Sequence, residues 1–226
     1  PLGQEVHDPA RALLVQLGQV GRGDHAPAAL GPGLDRLARR GLIGLVGADQ
    51  GQHVAVGRHA GLGQRVPRAQ LEAVAQEMRA NPDMVFFYEY QRPSATLPNG
   101  QQLDLVAEFG EPRTSGRGWP IDEQWIVGAA IGAAAAGSKA IARTPSMAPI
   151  YAIEFVQNQA GKIRSMTGGQ ASMPFVLWQD GAGRSRGSAG QHTDVGLEAL
   201  YANLPGVKVV VPSNAYDAKG LMIAAI

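Results

Sequence analysis

Four short apolar runs, separated by stretches long enough for helices, constrain this chain more than any other feature. They are MVFFYEY from Met84, the segment Lys139–Ala142, PFVLWQ from Pro174 and VKVVV from Val207. Runs this short, rich in β-branched and aromatic residues, read as buried strands and not helices. Helical patterns fill the gaps. Residues 67–80 have Pro at the start, strong helix formers within, and Leu71, Val74 and Met78 along one face, before Asn81-Pro82-Asp83 stops them. Asp122 is placed to cap a helix beginning at Glu123, with Gly137 at its C′ position. Residues 147–165 form a second long helical pattern ending before Gly168-Gly169, and residues 198–203 a shorter one. Asn214 opens a closing helix. Residues 91–118 carry Pro, Asn-Gly, Ser-Gly and Arg-Gly signals and read mostly as loop, with a short helix at LDLVAEFG. Strands alternating with helices predict an α/β layer built on a parallel sheet, with VKVVV in its buried middle. Ligands of such sheets bind beyond the carboxyl ends of the strands.

The chain has 226 residues, 45% hydrophobic and 17% charged, a globular composition. With 20 basic and 19 acidic residues, the charge balance calls for neither nucleic acid nor an anionic membrane. The absence of cysteine excludes disulfides, thiolate metal sites and cysteine nucleophiles. No apolar run approaches the ~18–20 residues of a membrane span. Neither an initiator Met nor a signal-peptide pattern is present, so the expectation is a soluble cytoplasmic protein.

The two ends of the chain use different alphabets. The first 70 residues contain no Lys, Phe, Tyr, Trp, Ser, Thr, Asn or Met and a single Ile, Ile43. A small helical extension is one reading, though each interior glycine costs about 0.8–1.0 kcal/mol relative to Ala. A transit peptide is a second, but the segment has five acidic residues and no Ser. The preferred reading is GC-rich DNA translated in the wrong frame or strand. Residues 1–66 are accordingly set apart as a low-complexity Gly/Ala/Arg-rich extension, poorly ordered or frame-shifted, and residues 67–226 as the domain. His53 and His59 fall in that extension with no Cys and no HxH or HxxxH pairing, so no metal site is assigned.

Two constellations carry chemistry. In PIDEQWIVGAAIGAAAAG, from Pro120 to Gly137, Glu123 stands in the first turn of a helix whose body is Ala, Gly and Ile. Small residues suit close packing against another backbone, which is expected to hold the Glu123 carboxylate at a buried edge. An acid so placed can act on a ring nitrogen of a bound molecule. The plainer alternative is a first-turn acid worth ~0.3–1 kcal/mol with the helix dipole. Gln191-His192 follows 69 residues later and offers a proton carrier, or an ordinary surface or capping histidine. The loop GAGRSRGSAG is neither GxGxxG nor GxxxxGK[ST] and reads as a connector. Trp125 and Trp178 read as core or interface aromatics.

Residues 69–226 resemble the beta subunit of the thiamine-diphosphate-dependent 2-oxoacid dehydrogenases, the decarboxylating components of pyruvate, branched-chain and acetoin dehydrogenase complexes. AVAQEMRANPDMVFF, PIDEQWIVGAAIGAAAAG, IEFVQNQAGKIRSMTGG, GQHTD and LPGVKVVVPSNAYDAKGLMIAAI carry the resemblance, in the family's order. It implies a transketolase-like pyrimidine-binding domain, a parallel sheet with helices on both faces, truncated at its C-terminal end. It also implies that Glu123, the acid of the family's PIxE motif, hydrogen-bonds N1′ of the cofactor's aminopyrimidine and favours the imino tautomer that removes the C2 proton. His192, in the QH[ST] motif, is implied in proton transfer, and Ile121 and Gln191 in cofactor binding. Glu89, in FFYEYQ, matches the acid of a strand that ends Gly-Glu-Asp in the family.

The chain departs from the pattern at SGRGWP before the PIxE motif and at TPSMAPI, residues 144–150, which suggests a divergent subfamily with its own substrate. No GDG motif occurs. The resemblance therefore implies that a separate alpha subunit holds the diphosphate and Mg²⁺ in an alpha2beta2 heterotetramer, with a lipoyl-bearing acyltransferase receiving the acyl group. A chain stopping at Ile226 is expected to be a fragment, inactive alone. The rival readings are a relative of transketolase or deoxyxylulose-phosphate synthase, and a truncated product without turnover.

Overall fold

In the computed structural model the residues described are 52–57, 65–89, 92–115, 120–145, 148–180 and 198–226. The predicted alternation becomes a six-stranded sheet of β1 (Gln52–Gly57), β2 (Val85–Tyr88), β5 (Thr114–Ser115), β6 (Ala140–Pro145), β7 (Phe175–Asp180) and β8 (Val207–Val210). Their order is β5-β2-β6-β7-β1-β8, and every neighbouring pair is parallel. The helices are α1 (Arg65–Ala80), α2 (Leu105–Phe109), α3 (Glu123–Ala135), α4 (Ala148–Tyr151), α5 (Gly161–Met166), α6 (Glu198–Ala202) and α7 (Ala215–Ala225). A π-helical segment, Phe155–Ala160, leads into α5.

Period-2 alternation along the strands sends successive side chains to opposite faces, and each face has its own core. On one, Leu71, Val74 and Met78 of α1 and Met222 of α7 pack with Phe86, Tyr88, Ile141, Val176 and Trp178. On the other, Ile126, Val127, Ala130 and Ala134 of α3 lie against Ala140, Ala142, Phe175 and Leu177, with Val156 and Ala160 of the π-helix. The small residues of α3 serve this close approach: a Cβ added at Gly128 would meet the Phe155 ring at 3.4 Å.

The capping predictions are met. Asp122 accepts hydrogen bonds from the Gln124 and Trp125 amides. At the far end of α3, Gly137 has φ +97°. Its N–H donates to Ala134, and that of Ser138 to Ala133, closing a Schellman motif. Asn214 caps α7 by accepting from Asp217 N–H.

Four features differ from the expectations. β8 lies at the edge of the sheet, not in its middle, because β1 pairs between it and β7. An apolar run reports burial of a strand's faces by helices and says nothing about its lateral position. β1 itself falls inside residues 1–66, the segment set apart on composition. The predicted 147–165 helix is divided by the π-helical turn. Residues 91–118 contain an antiparallel hairpin, β3 (Ser94–Thr96) and β4 (Gln102–Asp104), around Asn99-Gly100, and the short strand β5.

Arg113 locks the α1–β2 connection. Its Nη2 donates to Met78 O and Asn81 O at 2.7 Å and its Nε to Met84 O at 3.1 Å, with the guanidinium 5.1 Å from the centre of the Phe109 ring. Arg113→Ala removes three hydrogen bonds at once, leaving Asn81 O only its bond from Met84 N–H, and is expected to cost about 2 kcal/mol, measurable as a lowered urea midpoint with unchanged slope.

Candidate active site

The carboxyl ends of β2, β6 and β7 converge on the start of α3. Tyr88 is in register with Arg143, and Glu89 N–H donates to Arg143 O at 3.3 Å, which carries the β2–β6 ladder one residue further. Thr144 is in register with Gln179. Glu89, Thr144 and Gln179 therefore form a row on the face that carries α3. One residue earlier, Tyr88, Arg143 and Trp178 form a row on the opposite face, where the Arg143 guanidinium sits 4.8 Å from the centre of the Trp178 ring.

The polar row is buried: Glu89 is 4% exposed, Thr144 1% and Gln179 0%. Neither oxygen of the Glu89 carboxyl, nor the Thr144 hydroxyl, has a hydrogen-bond partner among the described residues. Burial, then the charges of Glu123 and Asp122, push the Glu89 carboxyl up from 4.5 to about 7.

Glu123 is half-buried, whereas Ile121, Asp122, Gln124 and Trp125 around it are exposed. The expectation of a buried carboxylate at this helix mouth is corrected: α3 buries its body, and the buried acid is Glu89. A capped first turn leaves an acid near solvent, where its charge is hydrated and favoured by the helix dipole. Gln124 Nε2 donates to Tyr151 O at 3.0 Å, tying this turn to α4. Ile121, 71% exposed, presents an apolar side chain just before Glu123. Glu123 is near enough for its charge to act on Glu89, and Ile121 stands two residues before it, while Gln191 and His192 lie outside the described residues. Trp178 is core, as one of its two readings had it, and Trp125 is on the surface.

Sequence reasoning missed Thr144 and Gln179. Gln179 is the first polar residue after the apolar run in FVLWQ, and Thr144 follows Arg143 at the end of AIART, so a polar strand end was the available signal.

A pH dependence follows. The folded-state pKa of Glu89 lies above its unfolded value, so the folded chain binds more protons between about 4.5 and about 7. Its contribution is fully favourable below that window and is lost as pH rises through it. Glu89→Gln, which keeps the shape of the neutral acid, is expected to flatten the profile. It should raise stability above pH 7 by at most about 3 kcal/mol and change it little at pH 5. Urea unfolding across that range tests this.

A model of the transketolase pyrimidine-binding domain matches residues 64–226. The chain belongs to this family. Among curated proteins, this pyrimidine-binding domain is 44% identical over 166 residues to the acetoin:2,6-dichlorophenolindophenol oxidoreductase subunit beta of Cupriavidus necator, covering 69% of the chain and 47% of that protein. It is 36% identical over 166 residues to the pyruvate dehydrogenase E1 component subunit beta of Rhizobium meliloti, covering 71% and 34%. It is also 37% identical over 123 residues to the 2-oxoisovalerate dehydrogenase subunit beta of Bacillus subtilis, covering 54% and 36%. The chain spans 34% to 47% of the length of these relatives. In the pyrimidine-binding domain, no described helix is long and apolar enough to cross a membrane. No group of three or more His, Asp or Glu among the described residues could hold a metal ion.

Proposed function

We propose that this chain is the pyrimidine-binding part of a beta-type subunit of a thiamine-diphosphate-dependent dehydrogenase acting on a 2-oxo acid or on acetoin. It would contribute the aminopyrimidine half of the cofactor site. The observation that carries this reading is the half-buried Glu123 at the Asp122-capped start of α3, whose charge acts on the buried Glu89 at the carboxyl edge of the sheet.

These residues fit the group. An aminopyrimidine presents a basic ring nitrogen beside a flat apolar face. Glu123 would hydrogen-bond that nitrogen through a proton held between the two, and the exposed Ile121 offers an apolar surface next to it. Bound thiamine diphosphate supplies an electron sink for cleavage of a bond next to a carbonyl. The chain's own residues would bind, orient and move protons. Glu123 would carry the proton at the ring nitrogen, and its charge acts on the buried Glu89. Gln191 and His192 are retained as cofactor-contact and proton-transfer residues on the resemblance alone. The diphosphate, its Mg²⁺ and the rest of the substrate site are assigned to an alpha partner in an alpha2beta2 assembly, with lipoyl-bearing acyltransferase as acceptor. The names of the relatives, subunits beta of acetoin and 2-oxoacid enzymes, support this reading over one resembling transketolase or deoxyxylulose-phosphate synthase.

The test is turnover of a panel of 2-oxo acids and acetoin, with an artificial electron acceptor, by the complete beta subunit co-expressed with its alpha partner. Thiamine diphosphate is added to one arm and withheld from the other. Cofactor-dependent turnover of one compound supports the reading and identifies the substrate. A folded complex that neither binds thiamine diphosphate nor turns over any compound sinks it.

A further inference from the structure

The strand position between β7 and β8 has two claimants. β7 and β8 follow one another through α6, yet they do not pair; β1 runs between them, parallel to both. Residues 53–57 are in register with residues 176–180 on one side, and residues 52–55 with residues 207–210 on the other. Among the described residues β8 pairs with no other strand, so its ladder rests on β1 alone. Yet β1 is the one described strand of this sheet outside the family match, which begins at residue 64 and takes in the other five. Its sequence, QHVAVG, opens on two polar residues and closes on Gly. Strands covered on both faces in a parallel sheet are ordinarily rich in Val, Ile and Leu. What β1 supplies is backbone: it satisfies the N–H and C=O groups that β7 and β8 would otherwise leave open.

The handedness of the connections names the second claimant. Crossovers between parallel strands are right-handed. A helix on one face therefore carries the chain across the sheet in one direction, and a helix on the other face carries it back. Through the face of α3 the chain moves from β5 to β6, then past the π-helix to β7, then past α6 to β8, with Tyr201 of α6 in that same core. Each of these steps runs toward β8. Through the face of α1 it moves from β1 to β2, and past α2, with Leu105 in that core, from β2 to β5. Both of these steps run toward β5. α7 lies on the α1 face, with Met222 in its core, and packs on α1 and β1. A parallel strand following α7 therefore turns back from β8 toward β5. The first position it meets is the one that β1 holds.

We propose that this position is an exchangeable strand site. In the complete beta subunit the segment directly after α7 occupies it as a parallel strand, and β1 fills it when that segment is not there. The occupant it fits is an apolar, β-branched run of about five residues, because helices cover both faces of the sheet. Two strands cannot share one position, so the two occupancies exclude each other, and residues 52–57 leave the sheet when the second claimant enters. β8 keeps a partner in both states.

The experiment is backbone amide hydrogen exchange on the 226-residue chain and on the complete beta subunit with its alpha partner, each as wild type and as Val54→Pro. Proline removes a ladder N–H from the middle of β1. In the 226-residue chain, the amides of residues 52–57 and 207–210 are expected to be protected. Val54→Pro strips that protection from both strands and leaves the ladder between β2 and β6 intact. In the complete subunit residues 207–210 stay protected, residues 52–57 exchange at the rate of an unstructured peptide, and Val54→Pro changes neither. Protection of residues 52–57 in both proteins overturns the proposal, since β1 would then be a fixed strand of the fold. Unprotected residues 52–57 in the 226-residue chain also overturn it, because β1 would not be filling the site. A β8 that loses protection with Val54→Pro in the complete subunit does the same. Should Val54→Pro fail to fold, the two wild-type proteins decide the matter by themselves. No arm involves thiamine diphosphate, so failure here is distinct from failure of the turnover test.

Discussion

Glu123→Gln is expected to lower thiamine-diphosphate-dependent turnover of the assembled enzyme by about 10²- to 10⁴-fold while leaving the domain folded. The size follows from what the substitution removes. An amide of the same shape still accepts a hydrogen bond through its oxygen, but it neither takes up a proton nor carries charge. The loss therefore falls on proton transfer and not on packing. Three structural facts keep it local. The helix cap is supplied by Asp122, whose carboxylate accepts from Gln124 and Trp125 N–H and is untouched by the change. Glu123 has no ion pair among the described residues, and its side chain is only half-buried. The expected structural cost is the lost interaction with the helix dipole, about 0.3–1 kcal/mol. Steady-state kinetics alongside urea unfolding separates the two contributions: kcat should collapse while the unfolding midpoint barely moves. Turnover equal to wild type would remove Glu123 from its role. Glu123→Asp distinguishes charge from reach. It restores the proton-carrying group on a shorter arm and is expected to recover part of the lost rate, whereas a site needing only charge in the neighbourhood would recover nearly all of it.

How much of this was legible in the sequence depends on the interaction involved. Local signals transferred well. Asp122 and Gly137 bracket α3, Asn214 opens α7, and Pro67 sits in the first turn of α1, because capping and φ preferences act within a few residues of chain. Faces were legible too, since Leu71, Val74 and Met78 share one core. Lateral order was not. Nothing in VKVVV distinguishes an edge strand from a central one when helices cover both faces, and its neighbour β1 comes from a stretch whose composition argued against a fold. The β3–β4 hairpin was signalled by Asn99-Gly100, yet its strands are three residues each, too short for alternation to register. The π-helical turn begins at Phe155, which packs on Gly128, a contact between residues 27 apart in sequence that periodicity cannot see.

The site was half legible for the same reason. Glu123 was visible as an acid at a helix start, and Glu89 as an acid ending an apolar strand. Their pairing with Thr144 and Gln179 needs the parallel register of three strands, and register is a property of the assembled sheet. The assignment of the buried carboxylate to Glu123 failed because small helix residues report the packing of a helix body, not the depth of its mouth.

The largest loss of stability is expected from Gly206→Ala. Gly206 precedes β8 with φ +78°, in the left-handed region, and a Cβ there would lie 2.3 Å from the carbonyl oxygen of Gly161, 3.2 Å from its carbonyl carbon and 3.3 Å from its Cα. All three are backbone atoms, so no side-chain rotation relieves the overlap. Gly161 is the mirror of this contact: its added Cβ would meet Pro205 O at 2.8 Å and Val156 O at 3.0 Å. Two glycines thus let the lead-in to β8 cross the junction of the π-helix and α5 at backbone contact. Gly206→Ala adds a left-handed penalty of about 1–2 kcal/mol to an overpacking cost of about 1–3 kcal/mol, for an expected total of about 2–5 kcal/mol. Gly100→Ala isolates the first contribution, because Gly100 has φ +84° with nothing within 4 Å of its added Cβ. Urea unfolding of both variants therefore measures the crossing by difference. Equal losses would mean that the two backbones separate freely. A much larger loss in Gly206→Ala would mean that β8 is pinned to the π-helix. That helix in turn holds Phe155 against Gly128, in the middle of the helix whose first turn carries Glu123.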